Sequence, residues 1–463
     1  MTAHYPIILQ ILLLLILAAT DLRAGDSEIP VLDLRACMEQ LAAQNYELRA
    51  RYLDVGAQAS SAKRAARERW PQLSVTSTVQ QHSEWQRIEQ PSPEASAMSY
   101  SRTLGLAGLE LALPLYTGGR LKASQRIEEH LVEAAMAGAA DFRDRSLLEL
   151  IEGYHQLQAL DYLIQSIEAS VEALESQLRQ IEVMVRQQKA ADVHRMRVQV
   201  RLSTLEQERI RIMDTQIQVR ESLNFLMGLP AGSEWWITPL PEASGLQASA
   251  DHSQPEALSV VRDDEVAARL RREATEAAVD VARSYWQPNL QLVGAWFGRS
   301  GFSEMKRYED SFIGINLSWD LWDGGARCYR VAEALQSREA ARLREAGVRA
   351  RRRAEWERAL SARRSASERL QISLSHRTVA LETLRIEQRK YAEGQGTITE
   401  VLEAEAAALE TKSLIATARA DFFVSLAHYD FAAGSFFQAG ARHPSLRAAL
   451  RSDASTPFLI EQP

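Results

Sequence analysis

The chain has 463 residues, a net charge of −7, and only two cysteines. This mild acidity gives no reason to expect nucleic acid as a partner, and two cysteines cannot form a disulfide framework or a cysteine-based metal cluster. The nine histidines are scattered, so the sequence predicts no metal site and no cofactor. Whether Cys37 and Cys328 pair with each other is left open. The run Arg351-Arg352-Arg353 lies among Ala and Glu, which predicts a solvated helix face rather than a phosphate-binding patch.

Residues 1–24 are predicted to be a signal peptide. The stretch from Ile7 to Ala19 is almost wholly apolar, too short for a membrane-spanning helix of about 20 residues but typical of a signal-peptide core. Small or polar residues follow it, and we expect cleavage after Ala24. The alternative is a buried N-terminal helix. No other segment has the pattern of a membrane helix, so any membrane crossing is expected to use β-strands.

The remainder of the chain contains an internal repeat. Its clearest corresponding positions are Pro71 with Pro288, Gly118 with Gly324, and Asp192 with Glu400. Their offsets are 288 − 71 = 217, 324 − 118 = 206 and 400 − 192 = 208 residues. Three anchors in the same order indicate a duplication. The larger first offset places an insertion in the first repeat, at Gln90 to Ser99, which its two prolines predict to be a loop.

Each repeat is predicted to contain a lead-in helix, two strands, a very long helix and a shorter returning helix. The first repeat spans 25–254, with strands at about 72–86 and 100–115, a helical hairpin at 120–228, and a Gly-, Pro- and Ser-rich segment at 229–254. The second repeat spans 255–436, with strands at about 288–298 and 311–322 and a hairpin at 326–436. Residues 437–463 are expected to form a largely disordered tail. At 1.5 Å per residue, each long helix would reach roughly 100 Å.

The predicted strands alternate between apolar and polar residues. In the segment from Ser311 to Leu321, one face carries Ile313, Ile315, Leu317, Trp319 and Leu321. The corresponding strand of the first repeat carries Ala107, Leu109, Leu111 and Leu113 on one face. The length and alternation fit tilted membrane strands, although a half-buried sheet of a soluble protein is the alternative. Four strands cannot close a barrel, so several chains would have to share one if these strands cross a membrane.

From about Val31 to Phe436 the sequence resembles the TolC-like outer-membrane efflux proteins. The motifs that carry this resemblance are Trp70-Pro71-Gln72-Leu73, Leu113-Pro114-Leu115-Tyr116-Thr117-Gly118-Gly119-Arg120, Asp323-Gly324-Gly325-Ala326 and Tyr391-Ala392-Glu393-Gly394. The resemblance implies a mainly α fold with membrane β-strands. It implies a homotrimer with a shared twelve-stranded β-barrel in the outer membrane and a long α-helical barrel in the periplasm. Residues 229–254 would form an equatorial segment around that helical barrel.

The function that the resemblance implies is that of an exit duct, not of an enzyme. Such a duct passes substrates from an inner-membrane pump, through a periplasmic adaptor protein, to the outside, within outer-membrane lipid. No metalloprotease, nucleophile-elbow or phosphate-loop motif argues for catalysis. A soluble periplasmic coiled-coil adaptor or scaffold is the alternative. The cargo, the pump and the mechanism of gate opening are left open by the sequence.

The resemblance also implies functional residues at the two hairpin tips. Glu400 and Glu403 match acidic residues that ring the narrow periplasmic mouth, although both could simply be solvated or complement the helix dipole. Asp192 and Tyr391 match a link that holds the mouth closed.

Four tip residues are predicted to dock the adaptor: Val185, Lys189, Gly394 and Ile398. Of these, Lys189 is expected to stand where the family has a glycine in the first tip, and Ile398 is expected to be an exposed apolar contact.

Overall fold

The computed structural model describes residues 30–87, 100–240, 260–301 and 307–434. The predicted signal peptide, the predicted loop from Gln90 to Ser99 and the predicted tail at 437–463 lie outside the described residues. Of the predicted equatorial segment, residues 229–240 are described.

The first repeat begins with two short elements that the sequence did not indicate, β1 and α1. Its elements are β1 (Val31–Leu32), α1 (Leu34–Gln44), α2 (Tyr46–Arg67), β2 (Gln72–Arg87), β3 (Tyr100–Tyr116), α3 (Arg120–Arg186), α4 (Asp192–Met227) and β4 (Trp236–Ile237). The second repeat consists of α5 (Asp263–Ser284), β5 (Asn289–Gly301), β6 (Arg307–Ser318), α6 (Ala326–Ala392) and α7 (Ile398–Ala433). The predicted fold class, with its repeated helix–strand–strand–long helix–helix order, is confirmed.

The last strand differs from its predicted span of 311–322. It is paired with β5 from Arg307 to Ser318 and ends there. Trp319 and Leu321 therefore lie after the strand, although they continue its alternation in the sequence. The indole Nε1 of Trp319 donates to the backbone oxygen of Trp286 at 3.3 Å, which fixes this residue against the end of α5 instead of in the ladder.

In each repeat, a pair of glycines lies in the turn that connects the second strand to the long helix. Gly118 and Gly119 have φ of 62° and 82°, and Gly324 and Gly325 have φ of 69° and 90°. These left-handed conformations cost little for glycine and much more for other residues. At Gly118 space is limiting as well, because a Cβ would lie 2.8 Å from the backbone oxygen of Ser284. This explains why the Gly-Gly pair recurs in both repeats.

The helices pack side by side, with two pairs stacked end to end. Helix α3 contacts α2 and α4 on one side and α5 and α7 on the other, and α6 packs against α5 and α7. At the stacked junction of α4 with α2, the side-chain Nδ2 of Asn45 donates to the backbone oxygen of Leu226 at 2.8 Å. Gly228 allows this approach, because a Cβ there would lie 2.4 Å from the oxygen of Gln44. None of the described helices is long and apolar enough to cross a bilayer.

The second junction, of α7 with α5, is held by two buried arginines, which corrects one prediction. Arg352 was expected on a solvated face, but its side chain is only 4% exposed and its Nη1 lies 3.0 Å from Oε2 of Glu265. Its Nη2 donates to the backbone oxygen of Ala433 at 3.3 Å and also to that of Val260. The second arginine, Arg262, precedes α5, and its side chain is 6% exposed. Successive helix positions point about 100° apart, so three consecutive arginines cannot all lie on one solvated face.

The apolar core is divided into separate clusters along the length of the long helices. Near the middle, Tyr154, Trp235 and the residues of α1 form one cluster. There the Tyr154 hydroxyl lies 2.6 Å from Oγ1 of Thr238, which ties the segment after β4 to α3. A second cluster lies near the hairpin tips and includes Leu174 and Ile181.

Cys37 is buried and Cys328 is exposed, and both thiols are free. Burial, with a contribution from Asp33, raises the pKa of Cys37 to about 12.

Candidate functional site

The two hairpin tips have the same backbone geometry. In the first tip, the backbone nitrogens of Gln188 and Lys189 donate to the oxygens of Val185 and Met184 at 2.9 and 2.8 Å. In the second tip, the nitrogens of Gly394 and Gln395 donate to the oxygens of Tyr391 and Lys390 at 3.1 and 2.8 Å. The corresponding positions lie 394 − 188 = 206 residues apart, which equals the offset of the glycine pairs.

The equivalent of Gly394 is therefore Gln188 and not Lys189. Gln188 has φ 56° and is the one non-glycine residue with positive φ among the described residues. Gly394 has φ 73° at the matching position. Three residues separate this position from the next helix in both tips, 189–191 and 395–397, so Lys189 corresponds to Gln395. A glutamine in this conformation carries a backbone cost that glycine avoids.

Ile398 is also placed differently from the prediction. It is fully buried, with 0% of its surface exposed, and belongs to the cluster that contains Ile181 and Val198. As the first residue of α7, it packs between the hairpins instead of pointing toward a partner. Val185 packs partly against the same cluster. The exposed apolar side chains near the tips are Val183, Met184, Val193 and Met196.

Glu400 and Glu403 are both exposed at the start of α7. Glu400 forms a capping box with Thr397: its Oε2 accepts from the Thr397 nitrogen at 2.7 Å, and its own nitrogen donates to the Thr397 hydroxyl at 3.3 Å. These hydrogen bonds lower the pKa of Glu400. Within one chain, Glu400 therefore stabilises a helix start. The ring of carboxylates that the resemblance implies stays a prediction.

The two predicted gate residues make contacts with other groups within the chain. Asp192 accepts two hydrogen bonds from Arg195, at 2.7 Å from Nε and 3.2 Å from Nη2. These bonds and the charge of Arg195 lower the pKa of Asp192. Tyr391 packs against the apolar tip cluster, and its burial raises its pKa. The predicted link between Asp192 and Tyr391 is not tested by these contacts and stays a prediction.

The structure adds a contact between the tips that sequence reasoning missed. Nη1 of Arg197, on α4, donates to Oγ1 of Thr399, on α7. These residues are 202 positions apart. Thr399 lies in the first turn of α7 and Arg197 in the second turn of α4, and no local pattern in the sequence predicts that they meet.

The four longer strands form one antiparallel sheet in the order β2-β3-β5-β6. Its register aligns the apolar residues of all four strands on one face, because Leu111 is opposite both Leu73 and Gly294, and Leu292 is opposite both Leu113 and Ile315. We call this the outer face; it carries Leu73, Val75, Leu109, Leu111, Leu113, Leu290, Leu292, Trp296, Ile313, Ile315 and Leu317. Side chains on the two edge strands are highly exposed, with Val75 on β2 and Ile313 on β6 each at 75%.

Three solved structures share this architecture. The outer-membrane channel OprN has a TM-score of 0.73 and 20% identity, with 88% of this chain and 90% of OprN covered. The outer membrane protein VceC from Vibrio cholerae has a TM-score of 0.71 and 17% identity, with coverage of 87% and 96%. The CmeC outer membrane channel of Campylobacter jejuni has a TM-score of 0.73 and 14% identity, with coverage of 87% and 86%. These likenesses establish the fold.

An exposed apolar sheet joined to two long helical hairpins is the architecture that this chain shares with these outer-membrane channel structures. Residues 262–434, which make up nearly all of the second repeat, match the family described as "Outer membrane efflux protein". The predicted resemblance to TolC-like efflux proteins is therefore confirmed. None of the curated protein sequences is significantly similar to this chain.

Proposed function

We propose that this chain is the outer-membrane exit duct of a tripartite efflux or type I secretion system. The observation that carries the proposal is the four-stranded sheet, whose outer face is apolar and whose two edges are unpaired in the single chain. In water such a face would be costly, whereas lipid would cover it at little cost. The long hairpins then extend roughly 100 Å away from the membrane, into the periplasm.

The unpaired sheet edges favour a closed ring of several copies. Strand β2 exposes Leu73 and Val79 at 70% and 64%, and β6 exposes Ile315 and Leu317 at 65% and 63%. Pairing β6 of one copy with β2 of the next satisfies both edges and makes the outer face continuous, as lipid requires. Three copies of four strands give the twelve-stranded barrel of the proposed homotrimer.

The helices support the same head-to-tail contact. Helix α6, at one side of the chain, exposes Ile372, Val379 and Ile386 at a spacing of seven residues. Helix α4, at the other side, exposes Met196, Val200, Ile210, Met213 and Ile217, at spacings of four, ten, three and four residues. Both patterns are typical of helices that bury an apolar stripe against another helix. A ring in which α6 of one copy meets α4 of the next would bury both stripes.

The hairpin tips are the proposed docking surface for a periplasmic adaptor protein. Their exposed apolar side chains replace Ile398 in this role, because Ile398 itself is buried. Through this adaptor, the duct would receive substrates from an inner-membrane pump. The proposed role is passive conduction, without catalysis. A soluble periplasmic adaptor, the alternative function, is disfavoured because it would have no use for the apolar outer face.

Single-channel conductance of the detergent-purified protein in planar bilayers tests both the duct and its mouth. The variant should be Glu400→Gln with Glu403→Gln, because glutamine can keep the capping box while removing the charge. We expect a cation-selective pore whose selectivity falls in this double variant. Glu410→Gln, an exposed charge further along α7, is the matched control and should leave the selectivity unchanged.

The outcomes separate the two parts of the proposal. A pore with unchanged selectivity in the double variant would retain the duct and remove the glutamates from its mouth. Folded, oligomeric protein that forms no pore would overturn the duct and return the chain to the soluble coiled-coil alternative.

A further inference from the structure

The second face of the sheet, which we call the inner face, contains a depression that the proposed function does not explain. It has a volume of about 520 Å³, and its lining includes Thr76, Gly108, Glu110, Ala295, Phe297 and Phe312. A volume of this size is within the range that accommodates a drug-sized molecule. The cavity is built entirely from one chain.

The strand register explains how the depression forms. Phe312 is opposite Ala295, and Ala295 is opposite Glu110, so the three share one row across β6, β5 and β3. In the neighbouring row, Phe297 is opposite Gly108. The small residues form the floor between larger side chains. At Gly108 a Cβ would lie 3.0 Å from the backbone oxygen of Trp296, so a side chain there would require the neighbouring strand to move by a few tenths of an ångström.

The two phenylalanines are unusual at this place. Lipid accounts for the apolar residues of the outer face, but the inner face of such a barrel borders water. Phe312 nevertheless remains 53% exposed there. Two aromatic side chains beside a floor of small residues offer flat apolar surface to a flat apolar ligand. Exposed apolar surface of this kind commonly marks a binding site.

The charge in the cavity selects the ligand further. Glu110 is the one ionisable side chain among the residues that line it. It stands in the same row as Phe312, two strand spacings or about 10 Å away. A carboxylate and exposed aromatic rings both attract cations. Of the other inner-face charges, Asp310 stands opposite Phe297 and adds to this preference. Arg299 stands one row further along, opposite the lining residue Leu106, so two carboxylates and one guanidinium surround the depression.

We propose that this cavity binds amphipathic organic cations that carry a flat aromatic ring system, as a transient site on the path through the barrel. The inference rests on the proposed function, because only barrel closure makes the inner face a wall of the duct. The substrate class is then aromatic cations. Each copy of the chain has one such site. Binding is weak enough for release, as conduction requires.

Ethidium, an aromatic monocation, is the probe for the test, with the full-length oligomer in detergent and fluorescence anisotropy as the measurement. Glu110→Gln and Phe312→Ala should each weaken ethidium binding by about tenfold, which corresponds to the loss of one favourable contact. Phe312→Tyr keeps the ring and should retain binding. Glu206→Gln removes the same charge from an exposed position on α4 and should not alter binding. Anilinonaphthalene sulfonate, an aromatic anion, should bind the wild-type protein more weakly than ethidium.

Conductance measurements on the same preparations distinguish the possible failures. Wild-type protein and the Glu206→Gln control should form pores of similar conductance, and ethidium should block the Glu110→Gln and Phe312→Ala pores less than the wild-type pore. Pores that form normally but bind ethidium equally well in every variant would overturn this inference alone. Equal binding of the anion would overturn it as well. Absence of a pore in the wild-type protein would overturn the proposed function, and this inference with it.

Discussion

Buried arginines determine how the second repeat joins its stacked helices. Arg352 spans from α6 to Glu265 of α5 and to the backbone oxygens at the end of α7 and before α5. Helix ends leave carbonyl oxygens without partners, and these must be satisfied when they are buried. In the first repeat, the short side chain of Asn45 satisfies the corresponding helix end. The same junction is therefore built by different chemistry in the two halves.

Replacement of Arg352 by methionine is expected to destabilise the protein by about 3 kcal/mol. The apolar side chain fills similar space but leaves Glu265 without its cation and the oxygens of Val260 and Ala433 without a donor. Guanidinium-induced unfolding of the detergent-solubilised protein measures this loss. Arg351→Met, at the exposed neighbouring position, is the control and should change stability by less than about 0.5 kcal/mol. Equal effects of the two replacements would show that the buried network contributes nothing specific.

The first turn of α5 predicts a pH dependence of stability. Burial opposes ionisation of Asp264, but the hydrogen bonds and charge of Arg262 outweigh it and lower the pKa of this carboxyl. A lowered carboxyl pKa stabilises the fold above the ordinary value near 4, and this contribution disappears as the pH falls through the lowered value. Asp264→Asn should therefore reduce the unfolding midpoint at pH 7, and the deficit should shrink below about pH 4.

Asp263, the neighbouring residue, provides a control of opposite sign. Its burial raises its pKa, so the ionised form costs stability at neutral pH, and this cost is relieved as the pH falls. Asp263→Asn should raise the unfolding midpoint at pH 7. If both asparagine variants changed stability in the same direction at every pH, these opposite electrostatic contributions would be refuted.

At the scale of elements, each hairpin ends in the same turn, but only the second has glycine at its left-handed position. Gln188 takes φ 56° where Gly394 takes 73°. The hydrogen-bond pattern of the two turns is equivalent, so the turn geometry is imposed by the helices on either side. The first tip therefore retains a local cost that the second tip avoids.

Replacement of Gln188 by glycine is expected to stabilise the protein by up to about 1 kcal/mol, because glycine adopts left-handed φ without the Cβ penalty. Gly394→Gln should destabilise it by a similar amount. Lys189→Gly should bring no gain, since Lys189 does not have positive φ. Thermal unfolding monitored by circular dichroism compares the three variants. A gain for Lys189→Gly but none for Gln188→Gly would contradict the observed register of the tip.

At the scale of the whole molecule, a single chain has sheet edges and apolar helix faces that contact no other part of the described chain. The sheet has two unpaired edges, β2 and β6, and the outermost helices expose apolar stripes. The stripes lie on opposite sides of the chain, α4 on one and α6 on the other. Contact between different surfaces of identical copies produces a ring when the rotation closes. A ring of copies, as in the proposed trimer, would pair the sheet edges and cover the helical stripes.

Charge placed on the α6 stripe should prevent this assembly. We expect the double variant Ile372→Asp with Val379→Asp to dissociate the oligomer in detergent, because two carboxylates would have to be buried at the contact. Size-exclusion chromatography with light scattering measures the number of copies in each particle. Gln371→Asp, exposed on the flank of the same helix, should leave the oligomer intact. Retention of three copies by the double variant would place the contact on a different surface.

The sequence alone determined the repeat and the order of its elements. Amphipathic alternation and Gly-Gly turns are local signals, so strands such as β3 and long helices such as α3 could be located within a few residues. Glu400 and Glu403 were located at the start of a helix by the same means. Local signals were less reliable where alternation continued past a strand end, as at Trp319, because only pairing with a neighbour decides where a strand ends.

Only the tertiary structure decided which side chains face inward and which residues meet. The inward orientation of Arg352 depends on a carboxylate on another helix, and the burial of Ile398 depends on the neighbouring hairpin. The contact of Arg197 with Thr399 and the row formed by Phe312, Ala295 and Glu110 join residues far apart in the chain. Such features arise from packing between elements, and no periodicity within one element contains that information.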